Sequence, residues 1–188
     1  MENLSKLHVL GIVGSPRRGG NTEVLVDKVL SGVEKAGALY EKVILNELNI
    51  NPCQACDSCY KTGNCIQKDD MVKLQRKMEK SRIWILGTPI YWWGPTAQFK
   101  TFLDRWYSPI HKNFKGKRII LIIPFEGGHE RYARHTVGML KDIFDYLKMD
   151  LFETILAPGV NNRGAVSKNT DLMGKAFKVG REIIENLI

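Results

Sequence analysis

Five short apolar runs alternate with amphipathic segments along the chain, and this alternation limits the fold more than any other feature. The runs are nearly continuous, as expected of strands buried on both faces of a sheet. They lie at 7–13, 39–45, 82–87, 117–123 and 150–156. Segments with helical spacing of apolar residues follow them, over about 21–36, 69–80, 95–106, 137–147 and 173–187. The alternation predicts parallel strands joined by right-handed helical crossovers.

Doubly wound sheets have two common strand orders, and five strands favour the order 2-1-3-4-5. We therefore predict an α/β, flavodoxin-like three-layer sandwich built on one five-stranded parallel sheet. The 188 residues suffice for one domain, which we place at 1–188, with a cysteine-rich insertion at about 46–70. In this order ligands bind outside the carboxyl ends of the strands, between the first and the third.

Composition and charge exclude several function classes. Hydrophobic residues make up 44% of the chain and charged residues 26%, as in ordinary globular proteins. No run is apolar enough to span a bilayer, and residues 1–6 show no signal-peptide pattern, so we expect a cytoplasmic protein without a membrane partner. The net charge of +8 is spread among acidic residues and forms no basic stripe with interleaved aromatics, which argues against nucleic-acid binding.

All four cysteines of the chain lie in one short segment, at Cys53, Cys56, Cys59 and Cys65. In a reducing cytoplasm such clusters bind metals or carry redox chemistry more often than they form disulfides. The spacing C-x2-C-x2-C-x5-C lets one loop present thiolates to a single compact object, which favours a [4Fe–4S] cluster. Zinc, which usually takes two well-separated cysteine pairs, and bare thiols are the alternatives.

The glycine-rich loop at 14–22 joins the first strand to the first helix. Its backbone amides, the hydroxyls of Ser15 and Thr22, and the side chains of Arg17 and Asn21 are suited to surround a phosphate at the helix N-terminus. The loop matches neither the Walker sequence nor G-x-G-x-x-G, so we expect a monophosphate. A purely structural turn is the alternative. Asn21 or Thr22 is the expected N-cap of the helix.

Three consecutive aromatic residues follow the third strand, across the predicted switch point from this loop. Aromatic side chains in a loop bounded by proline and glycine are poorly placed for the core, so we expect them to form a wall for a planar ligand. Packing under a helix or at a subunit interface is the alternative. The predicted ligand-binding residues of this segment are Pro89, Ile90, Tyr91, Trp92, Trp93 and Gly94.

A third loop follows the fourth strand and contains Glu126, Gly127 and Gly128. Glycines here allow backbone amides to approach a flat heterocycle. The neighbouring His129 is expected to be a surface or hydrogen-bonded histidine. The sequence contains no Ser–His–Asp order and no paired-carboxylate pattern, so we predict no catalytic residue.

Together these motifs resemble the iron–sulfur flavoproteins of the NADPH-dependent FMN reductase group. The residues that carry the resemblance are Gly14-Ser15-Pro16-Arg17, Asn21-Thr22, the cysteine run followed by Asp69-Asp70-Met71, Pro89-Ile90-Tyr91, Lys100 and Asp104-Arg105. The resemblance implies FMN bound by the three loops described above and a [4Fe–4S] cluster on the four cysteines. It also implies a homodimer or homotetramer that brings the cluster near a neighbour's flavin.

We therefore expect an FMN-dependent oxidoreductase that passes electrons between FMN and a [4Fe–4S] cluster. NAD(P)H and a ferredoxin-like protein are the candidate electron-exchange partners, although the sequence contains no nicotinamide fingerprint. An NAD(P)H-dependent FMN or quinone reductase with empty cysteines is the nearest alternative. A zinc-stabilised nucleotide-binding module without turnover is an alternative of another class.

Overall fold

Five parallel strands form one sheet in the computed structural model, which describes residues 7–187. The strands are β1 (His8–Val13), β2 (Leu39–Ile44), β3 (Ile83–Gly87), β4 (Arg118–Pro124) and β5 (Asp150–Ala157). The helices are α1 (Asn21–Lys35), α2 (Ser58–Thr62), α3 (Met71–Lys80), α4 (Ala97–Asp104), α5 (Arg134–Tyr146) and α6 (Thr170–Glu185). The segment 1–6, where we find no signal-peptide pattern, and residue 188 lie outside the described residues.

The strand order is β2-β1-β3-β4-β5, and every neighbouring pair is parallel. This confirms the predicted flavodoxin-like order. Because β1 and β3 are neighbours in the sheet, the chains that leave them run to opposite faces and open a crevice at the carboxyl edge. The register of β4 against β5 shifts between Ile119 and Ile120, which is an irregularity in an otherwise continuous parallel pairing.

Two apolar cores cover the two faces of the sheet. Alternate residues of a strand point to opposite faces, so in β1 Leu10 joins one core and Val9 the other. The Leu10 face is covered by α3, α4 and α5, and the Val9 face by α1 and α6. Burial of one large apolar side chain contributes about 1.5–3 kcal/mol, and Trp84, Phe99 and Phe144 are all fully buried.

Two helix starts differ from the sequence predictions. The N-cap of α1 is Gly20, so the prediction of Asn21 or Thr22 is wrong. The side chain of Asn21 is instead bound to another loop, as described below. The helix predicted from residue 69 begins at Met71, because the Asp69 carboxylate accepts a hydrogen bond from the Met71 N–H (3.1 Å) and lies outside the helix.

Two further departures lie near the cysteines. The helix predicted over 95–106 ends at Asp104, and a 3₁₀ turn over Arg105–Tyr107 follows it. The short α2 inside the cysteine segment has no counterpart among the predicted helices. In the part of the chain that the structure describes, no helix is long and apolar enough to cross a bilayer.

The helices α1 and α6 approach each other closely because both carry a glycine at their contact. A Cβ atom at Gly32 would overlap the carbonyl oxygen of Phe177, and one at Gly180 would overlap that of Val29. Both overlaps are with backbone atoms, which cannot turn aside as a flexible side chain could. The two backbones therefore touch only because these residues lack side chains.

We predict that Gly180→Ala lowers the free energy of unfolding by about 3 kcal/mol or more, because the two helix backbones must separate. Gly174 lies in the same helix, and a Cβ atom there would have nothing within 4 Å. Gly174→Ala is therefore the matched control and should raise stability by about 0.5–1 kcal/mol through helix propensity. Urea denaturation of both variants measures this. Wild-type stability in Gly180→Ala would contradict the close approach.

Candidate flavin and cysteine sites

A cavity of about 210 Å³ lies at the carboxyl ends of β1, β3 and β4. It brings together residues from all three predicted binding loops, which are Ser15, Arg17, Asn21, Thr22, Pro89, Ile90, Tyr91 and Glu126. The predicted residues that do not line it are Trp92, Trp93, Gly94, Gly127 and Gly128. The cavity-lining residues that our sequence reasoning missed are Gly20, Pro124, Phe125, Val160, Asn161 and Arg163. The ligand-binding role of each predicted residue stays a prediction.

A buried glutamate shapes the loop between β1 and α1. The Glu23 carboxylate accepts hydrogen bonds from the Gly19 amide (2.7 Å), from Arg18 (2.9 Å) and from Lys42 (2.9 Å). Burial acts to raise the pKa of Glu23, but the hydrogen bonds from Gly19 and the cationic side chains hold it below its usual value. The carboxylate therefore stays charged and keeps the loop curled around the start of α1. Within the loop, the Ser15 hydroxyl oxygen accepts from the Arg17 N–H (3.2 Å).

The side chain of Asn21 binds the chain that follows β5 and does not cap α1. Its side-chain amide donates to the carbonyl oxygens of Val160 (3.4 Å) and Asn162 (3.0 Å), and its Oδ1 accepts from the Val166 N–H (3.0 Å). Asn21 therefore uses both its donors and its acceptor to hold the chain that follows β5. Its sequence position alone cannot reveal this, since the contacts join residues 139 to 145 positions apart.

The three aromatics after β3 form a tight turn. Tyr91 and Gly94 exchange backbone hydrogen bonds, Tyr91 N–H to Gly94 O (2.8 Å) and Gly94 N–H to Tyr91 O (3.1 Å). Trp92 and Trp93 occupy the two central positions with φ of 49° and 61°, as in a type I′ turn, where asparagine and glycine are usual. The Thr136 hydroxyl donates to the Trp93 carbonyl (2.8 Å) and ties the turn to α5. Trp92 is 92% exposed, so it stands outside the cavity that Tyr91 lines.

We predict that Trp92→Asn raises the free energy of unfolding by about 1 kcal/mol, because asparagine tolerates the left-handed conformation that strains other residues. Little packing is lost, since the tryptophan is almost fully exposed. Trp92→Ala is the control, because alanine has the same backbone strain as tryptophan and should give no gain. Chemical denaturation compares the three proteins. Equal stability of the asparagine and alanine variants would refute the argument.

The third loop is held by contacts on both sides. Asn161 Nδ2 donates to Glu126 Oε1 (2.9 Å), which links this loop to the chain after β5. A Cβ atom at Gly127 would lie 2.5 Å from the ring of Tyr132, so the glycine is needed for this tyrosine to pack. His129 Nδ1 accepts from the Arg131 N–H (3.1 Å) and caps the turn over Glu130–Ala133. The expectation of a hydrogen-bonded histidine is confirmed.

The four cysteines, in the segment that joins β2 to α3, converge on one small cavity. All of them are free thiols, and all line a cavity of about 20 Å³ together with Arg105 and Tyr107. Arg105 lies at the end of α4, so the cysteine segment packs against that helix end. Within the described residues 7–187, no residue lines both this cavity and the one at the switch point.

A buried ion pair anchors the cysteine segment. Arg105 binds both carboxylate oxygens of Asp69, and both side chains are at most 3% exposed. The same guanidinium donates to the Asn51 carbonyl (2.9 Å) and to Cys65 Sγ (3.5 Å). Burial acts to raise the pKa of Asp69, but the hydrogen bonds from Arg105 outweigh it and hold the pKa below its usual value. Both ends of the segment therefore meet at Arg105.

The thiols differ in their surroundings. Hydrogen bonds from the backbone and hydroxyl of Ser58 lower the pKa of the exposed Cys56, whereas burial raises the pKa of Cys59. Four thiols facing one cavity are the donor set that a metal cluster needs. The cavity volume of about 20 Å³ is close to the space of one water molecule. In this geometry no group of three or more His, Cys, Asp or Glu residues within 7–187 is close enough to hold a metal ion.

We predict that Asp69→Asn lowers the free energy of unfolding by about 3 kcal/mol at neutral pH, because Arg105 is left as a buried charge without its partner. The control is Asp104→Asn, which breaks the half-exposed pair Lys100–Asp104 and should cost about 0.5 kcal/mol or less.

The effect of Asp69 should also depend on pH. A carboxylate whose pKa is lowered by folding stabilises the protein above its unfolded pKa, and this stabilisation is lost as pH falls through the folded value. The stability difference between wild type and Asp69→Asn should therefore shrink below about pH 4. Denaturation curves from about pH 7 to about pH 2.5 measure this, and a constant difference would contradict the ion pair.

The sheet order and the cavity at the β1–β3 switch point define a flavodoxin-like protein. The sequence model of the NADPH-dependent FMN reductase family matches residues 7–157, and the chain belongs to this family. The resemblance found in the motifs is thereby confirmed.

Named relatives agree with this assignment. An iron–sulfur flavoprotein of Archaeoglobus fulgidus is 39% identical over 122 residues, 64% of this chain and 56% of that protein. An iron–sulfur flavoprotein of Methanocaldococcus jannaschii is 36% identical over 141 residues, 74% of this chain and 70% of that one. A Bacillus subtilis protein proposed to be an NAD(P)H-dependent FMN-containing oxidoreductase is 33% identical, covering 89% of this chain and 93% of that one. The chain spans about half the length of the first relatives it matches.

Solved structures share the fold. An NAD(P)H:quinone oxidoreductase from Methanothermobacter marburgensis has a TM-score of 0.71 at 15% identity and covers 95% of this chain and 97% of that one. An FMN-dependent NADH-azoreductase from Bacillus anthracis, solved with FMN, has a TM-score of 0.70 at 14% identity and covers 96% of this chain and 99% of that one. At these identities the similarity shows the fold alone.

Proposed function

We propose that this protein is an FMN-dependent oxidoreductase that carries FMN at the switch-point cavity and a [4Fe–4S] cluster on Cys53, Cys56, Cys59 and Cys65. The observation that carries the proposal is the convergence of four free thiols on one cavity in a chain of the FMN reductase family. FMN exchanges two electrons and a [4Fe–4S] cluster one at a time, so the pair links two-electron to one-electron chemistry.

The chemical types of the residues that line the switch-point cavity suit the phosphate and the ring of FMN. The amides at the start of α1, with the Ser15 and Thr22 hydroxyls and Arg17, offer donors for the phosphate. Pro89 and Tyr91 give an apolar and aromatic side for the ring, and Glu126 faces it from the third loop. Asn21 supports this site indirectly, since its side chain is committed to the chain after β5.

The nearest alternative is an NAD(P)H-dependent FMN or quinone reductase whose cysteines stay empty. It is favoured by the small volume of the cysteine cavity and by the Bacillus subtilis relative, whose proposed activity matches it. A zinc-stabilised nucleotide-binding module without turnover is the alternative of another class. It requires zinc on the thiols and no flavin.

We also propose self-association, as a homodimer or homotetramer, through the face formed by α4 and α5. A groove of about 540 Å³ lies there. Its edge carries Tyr60, Tyr107 and Tyr146, which are 48%, 51% and 82% exposed. Exposed aromatic patches of this kind mark interaction surfaces.

A ferredoxin-like protein is the proposed redox partner. Lys68 and Arg76 line a groove beside Cys65, and the chain carries a net charge of +8, so an acidic carrier is electrostatically favoured. Three further points stay predictions. The first is that residues 46–70 form an insertion in one FMN-binding domain. The others are that the protein is cytoplasmic and that it binds neither nucleic acid nor membranes.

The test is an absorption spectrum and metal analysis of protein purified without oxygen. We expect flavin bands and about four iron atoms per chain, and a mass by light scattering that is a multiple of the 21.4 kDa chain. Flavin without iron would reject the cluster and favour the reductase, and zinc without flavin would favour the third function. A mass of one chain would reject self-association.

A matched pair of variants assigns the metal. Cys59→Ser should lose iron and keep FMN, whereas Lys61→Ala, at an exposed position of the same segment that does not line the cavity, should keep both. Steady-state assays then separate the two redox functions, because a one-electron carrier should be slow with NAD(P)H and fast with a reduced ferredoxin-like donor. Rapid NAD(P)H oxidation by the Cys59→Ser variant would favour the reductase.

A further inference from the structure

The chain that follows β5 returns across the carboxyl edge of the sheet to reach the first loop. We call residues 158–164 the β5–α6 strap. β5 lies three strands from β1, about 14 Å at the usual strand spacing, so the strap must cross the ends of β4 and β3. The sequence marks this stretch only as a loop between a strand and a helix.

Hydrogen bonds fix the strap at both ends of its path. Near β4, the Gly159 N–H donates to Gly127 O (3.1 Å) and the Val160 N–H donates to Phe125 O (3.0 Å). Near α1, the Asn21 amide holds the strap as described above, and Arg17 Nη1 donates to the Asn161 carbonyl (3.2 Å). The position of the next residues is therefore set by the loops that form the cavity.

The strap places Arg163 at the phosphate end of the cavity. Arg163 lines the same cavity as Ser15 and Arg17. A Cβ atom at Gly19 would lie 3.5 Å from both Nε and Nη2 of Arg163, so the guanidinium rests on the first loop. Within residues 7–187, Arg163 has no ion-pair or hydrogen-bond partner, whereas neighbouring Arg18 is paired with Glu23 and Glu47.

The charged side chains that line the switch-point cavity have an excess of positive charge. The cavity is lined by two guanidinium groups, on Arg17 and Arg163, and by one carboxylate, on Glu126. Glu126 accepts a hydrogen bond from Asn161, while Glu23 is already committed to the base of the loop. A phosphomonoester carries about −1.5 to −2 charge at neutral pH, which suits two guanidinium groups and the amides of α1.

We propose that Arg163 is a second cationic ligand of a phosphomonoester, held against Arg17 and the first loop by the β5–α6 strap, and that this phosphomonoester is the phosphate of FMN. The inference rests on the proposed FMN site and adds a ligand from a part of the chain that is distant in sequence from the phosphate loop. Guanidinium groups bind phosphate oxygens through paired, charge-assisted hydrogen bonds, so Arg17 and Arg163 would hold the phosphate together with the amides at the start of α1.

The test compares FMN with riboflavin, which lacks the phosphate. Apo-protein is titrated with each flavin, and binding is followed by flavin fluorescence. We expect Arg163→Gln to weaken FMN binding tenfold or more and to leave riboflavin binding within twofold of wild type. The FMN affinity of Arg163→Lys should lie between those of the wild-type protein and Arg163→Gln. Arg181→Gln removes the same charge from an exposed pair on α6 and should leave both affinities unchanged.

Several outcomes would overturn the proposal. Unchanged FMN affinity in Arg163→Gln, or an equal loss for FMN and riboflavin, would show that Arg163 does not bind the phosphate. An increase in KM for NADPH but not for NADH, with FMN affinity intact, would assign the arginine to the phosphate of the nicotinamide donor instead. Failure of the wild-type protein to bind FMN would reject the FMN site itself, which separates this failure from the others.

Discussion

The site depends on backbone hydrogen bonds that continue the sheet one residue beyond its strands. Gly14 N–H donates to Gly87 O (2.7 Å), Thr88 N–H to Ile122 O (3.0 Å) and Phe125 N–H to Ala157 O (3.0 Å). The three loops therefore leave the sheet at one level and face a common space. The fully buried Thr96 adds a hydroxyl hydrogen bond to the Gly14 carbonyl, which joins the start of α4 to the end of β1. The backbone at the strand ends therefore sets the position of the cavity, and the side chains line it.

Two polar contacts hold loops that make no strand pairs. Asn21 holds the strap, and the pair of Asp69 and Arg105 holds the cysteine segment. Asn21 is neutral and offers both donors and an acceptor, which suit the two strap carbonyls of Val160 and Asn162 and the N–H of Val166 just after the strap. An aspartate at this position could not donate to the carbonyls. At the cysteine segment, Asp69 and Arg105 are charged and buried. A buried pair contributes little net stability but is costly to break, so it suits a fixed end point for the cysteine segment.

The sequence predicted the features that depend on local pattern. The five apolar runs of the strands and the order of the sheet follow from the composition of each segment and from general rules of topology, and the structure confirms them. It also brings residues of three predicted loops into one cavity. Features made by long-range contacts were missed. Arg163 lies in a loop without a motif. The predicted N-cap of α1 was wrong because the Asn21 side chain binds a segment that is distant in sequence.

The separation of the two cavities bears on how electrons move in the proposed function. Among the residues that the structure describes, none lines both of them. Tyr107, in contrast, lines both the cysteine cavity and the groove on the face of α4 and α5, and its hydroxyl donates to Asp57 inside the cysteine segment (3.1 Å). A second subunit on this face would therefore contact the cysteine segment directly, and in a twofold dimer the contact occurs twice. In the proposed function, such a dimer would favour electron exchange between subunits over exchange within one.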